Sequence, residues 1–391
     1  MKILLITPPF TQPNTPYPAT IYLKGFLKQH GFDVFQLDLG IEMMGSVFTA
    51  KGLQQLFDEA GKNSAKLSQN SAQIIGNKQH YLRTVELVMR FLQHRDSTLV
   101  HRICSDSFLP KASRFDQLPD LEWSFGAMGV NDKARYLSTL YIEDIGDLIK
   151  EAITPHFGFS RYAESLGMSA HSFASIHTAL HQPENCIEDW LLELLSGHIE
   201  RYRPDVVGIT LPFPGNLYAG LKCGQFIKRF HPHAAVIMGG GYVNTELRWL
   251  SEPAVFDYVD YLTLDDGELP LLNILNYLGS GSSRTGTLMR TFMRTDGEVR
   301  FFNDDRERDP APAETGCPDY SDLPLDKYLS LIEIANPMHR LWSDGRWNKL
   351  TIAHGCYWHR CSFCDTSLEY IRRFERAPAA VLVDHIERIS D

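Results

Sequence analysis

The sequence predicts an α/β fold with a doubly wound parallel sheet, because strand-like and helix-like patterns alternate in two parts of the chain. A β-α-β pattern occupies the first forty residues, and the same alternation resumes near residue 204. Parallel strands need such crossovers, which are almost always right-handed. Between the two parts, residues 40–200 carry helical patterns without evident strand pairs, so they are predicted to form a helical insertion in one domain.

The first β-α-β pattern starts with a run of leucine and isoleucine residues within positions 2–6. Apolar residues at helical spacing over 19–30 predict a helix, and Gly31 ends it. Residues 32–39 (FDVFQLDL) alternate between apolar and polar side chains, as a strand does. These elements predict two neighbouring parallel strands near the N-terminus.

The second group of strands opens with residues 204–211 (PDVVGITL), and a helix through 220–230 follows it. A strand at 234–238 leads into three consecutive glycines, and a last strand is predicted near 258–264. We therefore expect residues 1–280 to form one flavodoxin-like, Rossmann-like domain, which would bind ligands outside the carboxyl ends of its strands.

A linker is predicted after this domain from the composition of residues 279–284 (GSGSSR). Asp296 and Gly297 have the turn chemistry of a β-hairpin, so residues 281–345 are expected to form a linker that contains a hairpin. Residues 346–391 are the last predicted segment, in which a strand candidate directly precedes a cluster of cysteines.

The composition is that of an ordinary soluble protein of two-domain length, with 391 residues, 43% of them hydrophobic and 22% charged. The formal net charge of −10 argues against nucleic acid as a partner, because surfaces that bind nucleic acid are usually basic. No apolar run approaches the roughly 20 residues that span a bilayer. The strand-like N-terminus does not resemble a signal peptide, so we expect a cytoplasmic protein without a membrane partner.

Three of the seven cysteines, Cys356, Cys361 and Cys364, fall within nine residues. Three soft thiolate ligands on one loop after a strand predict a metal centre, whereas an odd number of cysteines does not suggest a disulfide framework. If the metal is an iron–sulfur cluster, the fourth position is open to substrate. The alternative is a structural zinc ion, with His354 or His359 completing a Cys3His set.

The cysteine loop resembles the signature of radical S-adenosylmethionine enzymes: a strand, a glycine, three cysteines and an aromatic residue, here Phe363, before the last cysteine. In that family the cysteines hold a 4Fe–4S cluster, and S-adenosylmethionine chelates the fourth iron. Reduction then cleaves the sulfonium to a 5′-deoxyadenosyl radical. The usual spacing between cysteines is three residues and then two, whereas here it is four and then two.

The upstream domain is similar to the cobalamin-binding domain that often precedes a radical S-adenosylmethionine barrel. Besides Phe363, the resemblance implies these cofactor-binding residues: Thr7, Pro8, Pro9, Thr210, Leu211, Gly239, Gly240, Gly241, Gly267 and Glu268. The three consecutive glycines would let backbone amides approach a large ligand, but they also suit a strand-to-loop turn, and residues 265–268 also suit a helix cap. The chain has no Asp-x-His-x-x-Gly string, so cobalamin would bind without that histidine as lower ligand, or the domain has lost cobalamin.

The resemblance covers residues 1–39 and 201–391 and implies a radical enzyme that acts on an unknown small-molecule or peptide substrate. Methyl transfer is one implied outcome, and an electron donor such as flavodoxin or ferredoxin is an implied partner. A β/α barrel needs around 200 residues or more, so the chain is expected to be cut short early in that domain. The alternative is a non-catalytic, Rossmann-like ligand-binding module with a structural zinc site.

Overall fold

A computed structural model describes the chain at residues 1–62, 67–116, 118, 120–126, 129–159, 173–280, 285–304, 306–333, 349–362 and 364–390. The strands within these residues are β1 (Lys2–Thr7), β2 (Asp33–Asp38), β3 (Val206–Thr210), β4 (Ala235–Gly239), β5 (Tyr261–Thr263), β6 (Thr291–Thr295), β7 (Glu298–Phe302), β8 (Ala353–His354) and β9 (Glu375–Arg376). The predicted α/β class is confirmed, because β1 to β7 form one mostly parallel sheet with helices on its faces.

The α-helices in the described part of the chain fall into three groups. Those of the N-terminal half are α1 (Pro18–Gln29), α2 (Leu39–Val47), α3 (Ala50–Gly61), α4 (Gln69–Gly76), α5 (Lys78–Leu92), α6 (Val100–Ile103), α7 (Leu121–Phe125), α8 (Val130–Ala152) and α9 (Ala174–Leu180). Those of the second half of the sheet are α10 (Cys186–Tyr202), α11 (Leu217–Phe230), α12 (Gly241–Glu246) and α13 (Glu268–Ser280). The last two are α14 (Glu369–Arg372) and α15 (Ala379–Ser390).

The main sheet has seven strands in the order β2-β1-β3-β4-β5-β6-β7. The first five of these are parallel to their neighbours, and their order is that of a flavodoxin-like sheet with a switch point between β1 and β3. β6 pairs antiparallel with β5, and β7 with β6. The hairpin predicted at Asp296 and Gly297 therefore extends the main sheet instead of standing apart in a linker, because Phe292 pairs with Leu262.

Successive side chains of a strand point to opposite faces of the sheet, and helices bury both faces of the parallel strands. Ile3 and Leu5 pack in a core that includes residues of α1 and α13. Leu4 and Ile6 face the larger core on the other side. Helices α2 to α10 lie between β2 and β3 in sequence and contribute most of that larger core. Among the described helices, α1 and α13 pack on one face of the sheet, whereas a deep helical layer covers the other.

Two element ends differ from the sequence-based expectation. Gly279 and Ser280, predicted to start the linker, are the last residues of α13. Tyr277 and Leu278 immediately before them still pack against the core, so the helix continues through its last turn. The short strand before the cysteines, predicted from the apolar residues at 350–353, spans only Ala353 and His354.

Residues 319–332, which we call the strap, run from the edge of α1 across the end of β2 towards the helical layer. The buried ammonium of Lys24 donates to the carbonyl of Ser321 at 2.9 Å and to Asp322 at 2.6 Å. Further along, the hydroxyl of Tyr328 donates to the carboxylate of Asp38 at 2.7 Å, and the N–H of Ile332 donates to Thr139 at 3.0 Å. These contacts attach the connection to the C-terminal segment firmly to the sheet domain.

The structure describes the C-terminal segment from residue 349 onward. Its strands β8 and β9 form an antiparallel pair that is separate from the main sheet. The cysteines follow β8, and α14, β9 and α15 come after them. Among all the helices that the structure describes, none has the length and apolar character needed to cross a membrane.

Candidate metal centre and ligand cleft

A cleft of about 820 Å³ opens between α1 and α13 above the carboxyl ends of the parallel strands. Its floor includes the last residues of three neighbouring strands, Thr210, Gly239 and Thr263. Apolar side chains form much of its walls, among them Leu23 of α1 and Leu271 of α13. Ligands of doubly wound sheets bind at this edge, so the cleft is the candidate ligand site.

Two glycines shape this end of the sheet. A Cβ atom on Gly239 would lie 2.6 Å from Oγ1 of Thr263, so only glycine leaves that part of the floor bare. Gly240 has φ +112°, and a Cβ atom there would lie 2.8 Å from the carbonyl oxygen of Leu211. The turn after β4 therefore requires glycine for its backbone, and it also brings that backbone to the cleft.

The cofactor-binding residues implied by the resemblance divide into two groups. Those that line the cleft are Thr210, Gly239, Gly240, Gly267 and Glu268. Those that do not line it are Thr7, Pro8, Pro9, Leu211 and Gly241. Phe363 lies outside the described residues.

The second group is placed differently because its residues are engaged in the fold itself. Thr7 is the last residue of β1, Pro8 and Pro9 follow it, and all three are buried. The carbonyl of Pro8 accepts a 2.9 Å hydrogen bond from the side-chain amide of Asn216. Leu211 is fully buried, and its backbone N–H donates to the carbonyl of Gly239 at 2.7 Å. None of these residues lines this cleft, and their assignment as cofactor contacts stays a prediction.

Carboxylates concentrate at the mouth of the cleft, on residues 264–268, which we call the cleft loop. Asp265, Asp266 and Glu268 all line the cleft. Glu268 is the first residue of α13, and its pKa is raised to about 7, first by burial and then by the negative charge of Asp266. Glu268 therefore holds a proton over part of the neutral pH range, in a position to donate or accept a hydrogen bond.

Arginines pair with one of the other two carboxylates, that of Asp265. Arg248 forms a short ion pair with Asp265, and Arg290 lies 3.9 Å from the same carboxylate. Arg290 also donates to the backbone carbonyl of Asp266 at 3.2 Å. A ligand that brought its own phosphate close to this loop would meet the carboxylates first, so the mouth favours neutral or hydrogen-bond-donating groups.

The cysteine loop, residues 355–364, starts from a tight backbone crossing. Gly355 has φ +75°, and a Cβ atom there would lie 1.7 Å from the carbonyl oxygen of Arg373. Directly after it, the N–H of Cys356 donates to the carbonyl of Ile371 at 3.0 Å. The glycine of the signature is thus needed, because the backbone that leaves β8 passes very close to the backbone just before β9.

The three cysteines of this loop are free thiols. Cys356 and Cys361 are half-buried, and Cys364 is exposed. The N–H of Trp358 lies 3.3 Å from the sulfur of Cys356 and points to it as a donor, the kind of contact that stabilises a thiolate or a cluster sulfur. Soft sulfur donors in this number suit an iron–sulfur cluster or zinc, so the chemistry of the donor set fits a metal.

The geometry of the loop is not that of a formed metal site. Within the residues that the structure describes, no three Cys, His, Asp or Glu side chains are grouped closely enough to hold one metal ion. The remaining cysteines differ in character: Cys223 is fully buried, and burial raises its pKa to about 12. Only the cysteines of the loop combine accessibility with close spacing along the chain.

The C-terminal segment contacts the ligand cleft directly, and one of its contacts lies on the strand just before the cysteine loop. Nε2 of His354, on β8, lies 2.9 Å from Oδ1 of Asp266 in the cleft loop. A second cleft of about 700 Å³ lies at this junction, and it shares Tyr22, Asp266 and Glu268 with the first. These three side chains therefore separate the ligand cleft from the cysteine segment.

Comparison with known proteins adds no relative. No protein-family model matches the chain. A search of curated proteins also found no match. The interpretation of the site accordingly depends on its own residues.

Sequence reasoning missed several residues of this site. Tyr22 was within a predicted helix, but the helical pattern does not show which face borders a cleft. Arg248, Arg290 and Asp309 are far apart in sequence, and their ion pairs follow from the fold rather than from a local pattern. The run of acidic residues at 265–268 was the one available signal that charges would need partners there.

Proposed function

We propose that the chain belongs to a radical S-adenosylmethionine enzyme of the cobalamin-binding class, with Cys356, Cys361 and Cys364 as the ligands of a 4Fe–4S cluster. The observation that carries the proposal is the contact between His354 and Asp266. It joins the strand that precedes the cysteines to the loop that lines the cleft at the carboxyl edge of the sheet. Two adjacent sites, one for thiolate-bound metal and one for an organic cofactor, suit an enzyme that uses both.

The roles of the chain's own residues follow from their positions. The three thiolates would hold three irons and leave the fourth for S-adenosylmethionine, and the bound cluster supplies the electron that cleaves its sulfonium C–S bond. The Trp358 N–H would stabilise negative charge on the sulfur of Cys356. A barrel that begins at residue 346, an electron donor such as flavodoxin or ferredoxin, and methyl transfer as the outcome remain parts of this proposal.

The cleft suits the planar, amide-bearing chemistry of cobalamin in three respects. Its glycine floor leaves space next to backbone, its walls are largely apolar, and Glu268 offers a hydrogen-bonding group at its edge. Among the described residues that line it there is no histidine. A cobalamin that takes no imidazole lower ligand from the chain stays part of this proposal.

The test of the metal centre is elemental analysis of anaerobically purified protein, with its visible spectrum. We expect about four irons and four sulfides per chain, lost in Cys361→Ala and kept in Cys317→Ala, because Cys317 lies outside the cysteine loop. Addition of S-adenosylmethionine and dithionite should then yield 5′-deoxyadenosine and methionine. Stoichiometric zinc without iron would refute the radical enzyme and favour the binding module with a structural zinc site.

The test of the cleft is retention of hydroxocobalamin on gel filtration. Gly208 lies in the floor, and a Cβ atom there would already lie 2.9 Å from Leu5, so Gly208→Val should fill the space. The clashing atom is the far end of the Leu5 side chain, which can shift, and valine suits a central parallel strand. We expect retention by wild type and by Gly45→Ala, whose surroundings are open, but not by Gly208→Val. Equal retention by all three would refute this location.

A further inference from the structure

We propose that Arg290 is a positioning residue that holds the cysteine loop at the mouth of the ligand cleft. The description of that loop as a metal-binding one rests on the proposed function, whereas its attachment through Arg290 does not. Arg290 precedes β6 and is nearly buried, with 13% of its side chain exposed. A buried guanidinium is costly unless it is fully paired, so its partners reveal what it organises.

The first set of partners belongs to the cleft loop. The guanidinium of Arg290 donates from Nη2 to the carbonyl of Asp266 at 3.2 Å and from Nε to the carbonyl of Leu264 at 3.4 Å. Its backbone carbonyl also accepts a 3.0 Å hydrogen bond from the N–H of Leu264. Asp265 itself has φ +65°, a conformation that a non-glycine residue adopts only when its surroundings fix it. Arg290 thus fixes the backbone that presents the cleft's carboxylates.

The second partner is Asp309, whose carboxylate also lies near the chain that follows the cysteines. Both nitrogens at the end of the Arg290 side chain bind the two oxygens of Asp309, one of them at 3.0 Å. The same carboxylate lies 3.9 Å from Nη1 of Arg373, the residue whose carbonyl the cysteine loop crosses at Gly355. A bidentate pair restrains both the distance and the angle between two side chains, so it fixes their relative position better than a single hydrogen bond does.

The cysteine loop is consequently held from two sides. His354 attaches the strand before it to Asp266, and Arg373 attaches the chain after it to Asp309. Arg290 is the residue that contacts both the Asp266 backbone and the Asp309 carboxylate. Removing it should free the loop from the cleft without unfolding the sheet, since β1, β3 and β4 do not depend on it for their pairing.

The experiment is amide hydrogen exchange, read by mass spectrometry, on the full chain free of metal. In Arg290→Met, peptides covering residues 353–377 should exchange at least about tenfold faster than in wild type, because a broken buried ion pair lowers the free energy of local opening. Peptides covering β1 and β3 should exchange at the wild-type rate. Arg290→Lys, which keeps the charge but not the bidentate geometry, should give an intermediate rate.

The matched control is Arg294→Met, on β6, the strand that Arg290 directly precedes. Arg294 pairs with Asp257 at 2.7 Å, away from the cysteines, and its loss should leave exchange at 353–377 unchanged. Asp309→Asn provides a second route should Arg290→Met not fold, and the same local acceleration is expected from it. Wild-type exchange at 353–377 in the folded variant, or equal acceleration throughout the sheet, would overturn the proposal. Because the protein is metal-free, the result stands whether or not iron and cobalamin bind.

Discussion

The imidazole Nε2 of His354 lies 2.9 Å from Oδ1 of Asp266. His354 stands two residues before the first cysteine of the cysteine loop. This pair joins two segments that are 88 residues apart in sequence. It matters because β8 and β9 pair with each other and not with the main sheet. Polar contacts such as this one, that of Thr351 with Tyr22 and that of Arg373 with Asp309 attach the cysteine segment instead. The position of any metal on the loop therefore depends on a small number of polar contacts.

Replacement of His354 should weaken metal retention without removing a ligand. If iron is bound, His354→Ala should lose it to a chelator about tenfold faster than wild type, as expected when a group that orients a metal-binding loop is removed. The measurement is the rate of loss of the visible absorption under anaerobic conditions.

His359→Ala is the matched control, because His359 is exposed and lies inside the same loop. It should retain iron like wild type. If instead His359→Ala releases zinc while His354→Ala does not, the Cys3His zinc alternative is correct and the cluster assignment fails.

How far the sequence predicts this molecule depends on how local each feature is. Strands such as β1 and β3 were predicted to within about two residues because their apolar runs are continuous in sequence. The attachment of the hairpin to the sheet was not predicted, because the pairing of Phe292 with Leu262 joins distant segments. Local patterns do not determine such pairings.

The same distinction applies to the site. Thr210 and Gly239 were predicted to border a ligand because strand ends meet at one edge of a parallel sheet, and both line the cleft. Thr7 satisfied the same rule but does not line the cleft, because the position of the cleft along that edge depends on where α1 and α13 leave a gap. The junction through Arg290 and Asp309 has no local signature at all.

Glu268 should make the stability of the protein depend on pH. Its pKa in the folded protein is raised to about 7, above its ordinary value, so its contribution to stability is complete at low pH and is lost as the pH rises through about 7. In Glu268→Gln this loss is absent. The free energy of unfolding of the variant should therefore rise relative to wild type by on the order of 2 kcal/mol between pH 5 and pH 8.

Urea unfolding at several pH values tests this prediction. Glu298→Gln on β7 is the control, because Glu298 is exposed and should give a curve parallel to wild type. A difference between Glu268→Gln and wild type that stays constant with pH would mean that Glu268 is ionised in the folded protein throughout this range.

Gly240→Ala should destabilise the fold. Its φ of +112° lies in a region that is essentially restricted to glycine, and the new Cβ atom would lie 2.8 Å from the carbonyl of Leu211. We expect a loss of about 2–4 kcal/mol in urea unfolding. Gly45→Ala in α2 introduces a Cβ atom with nothing within 4 Å and should be neutral or slightly stabilising, since alanine favours a helix. A Gly240→Ala variant as stable as wild type would show that the turn after β4 can adopt another conformation.

Tyr328 should stabilise the strap most at pH values where Asp38 is ionised. Burial raises the pKa of Asp38 to about 6, and the hydrogen bond from the Tyr328 hydroxyl opposes this rise by favouring the carboxylate. Tyr328→Phe removes that donor, so the pKa of Asp38 should rise further. A hydrogen bond to a charged group contributes more than one to a neutral group, so the variant should lose about 2 kcal/mol at pH 8 and less at pH 4.5.

Tyr320→Phe is the control for Tyr328→Phe, because it also removes a tyrosine hydroxyl from the strap but not one that binds a carboxylate. The Tyr320 hydroxyl donates to the backbone carbonyl of Lys349 at 3.1 Å, a neutral acceptor, so its loss should cost the same at both pH values. Thermal or urea unfolding of the two variants at pH 4.5 and pH 8 gives the comparison. If Tyr328→Phe behaves like Tyr320→Phe, Asp38 stays protonated in the folded protein, and the strap is held by a neutral hydrogen bond at the end of β2.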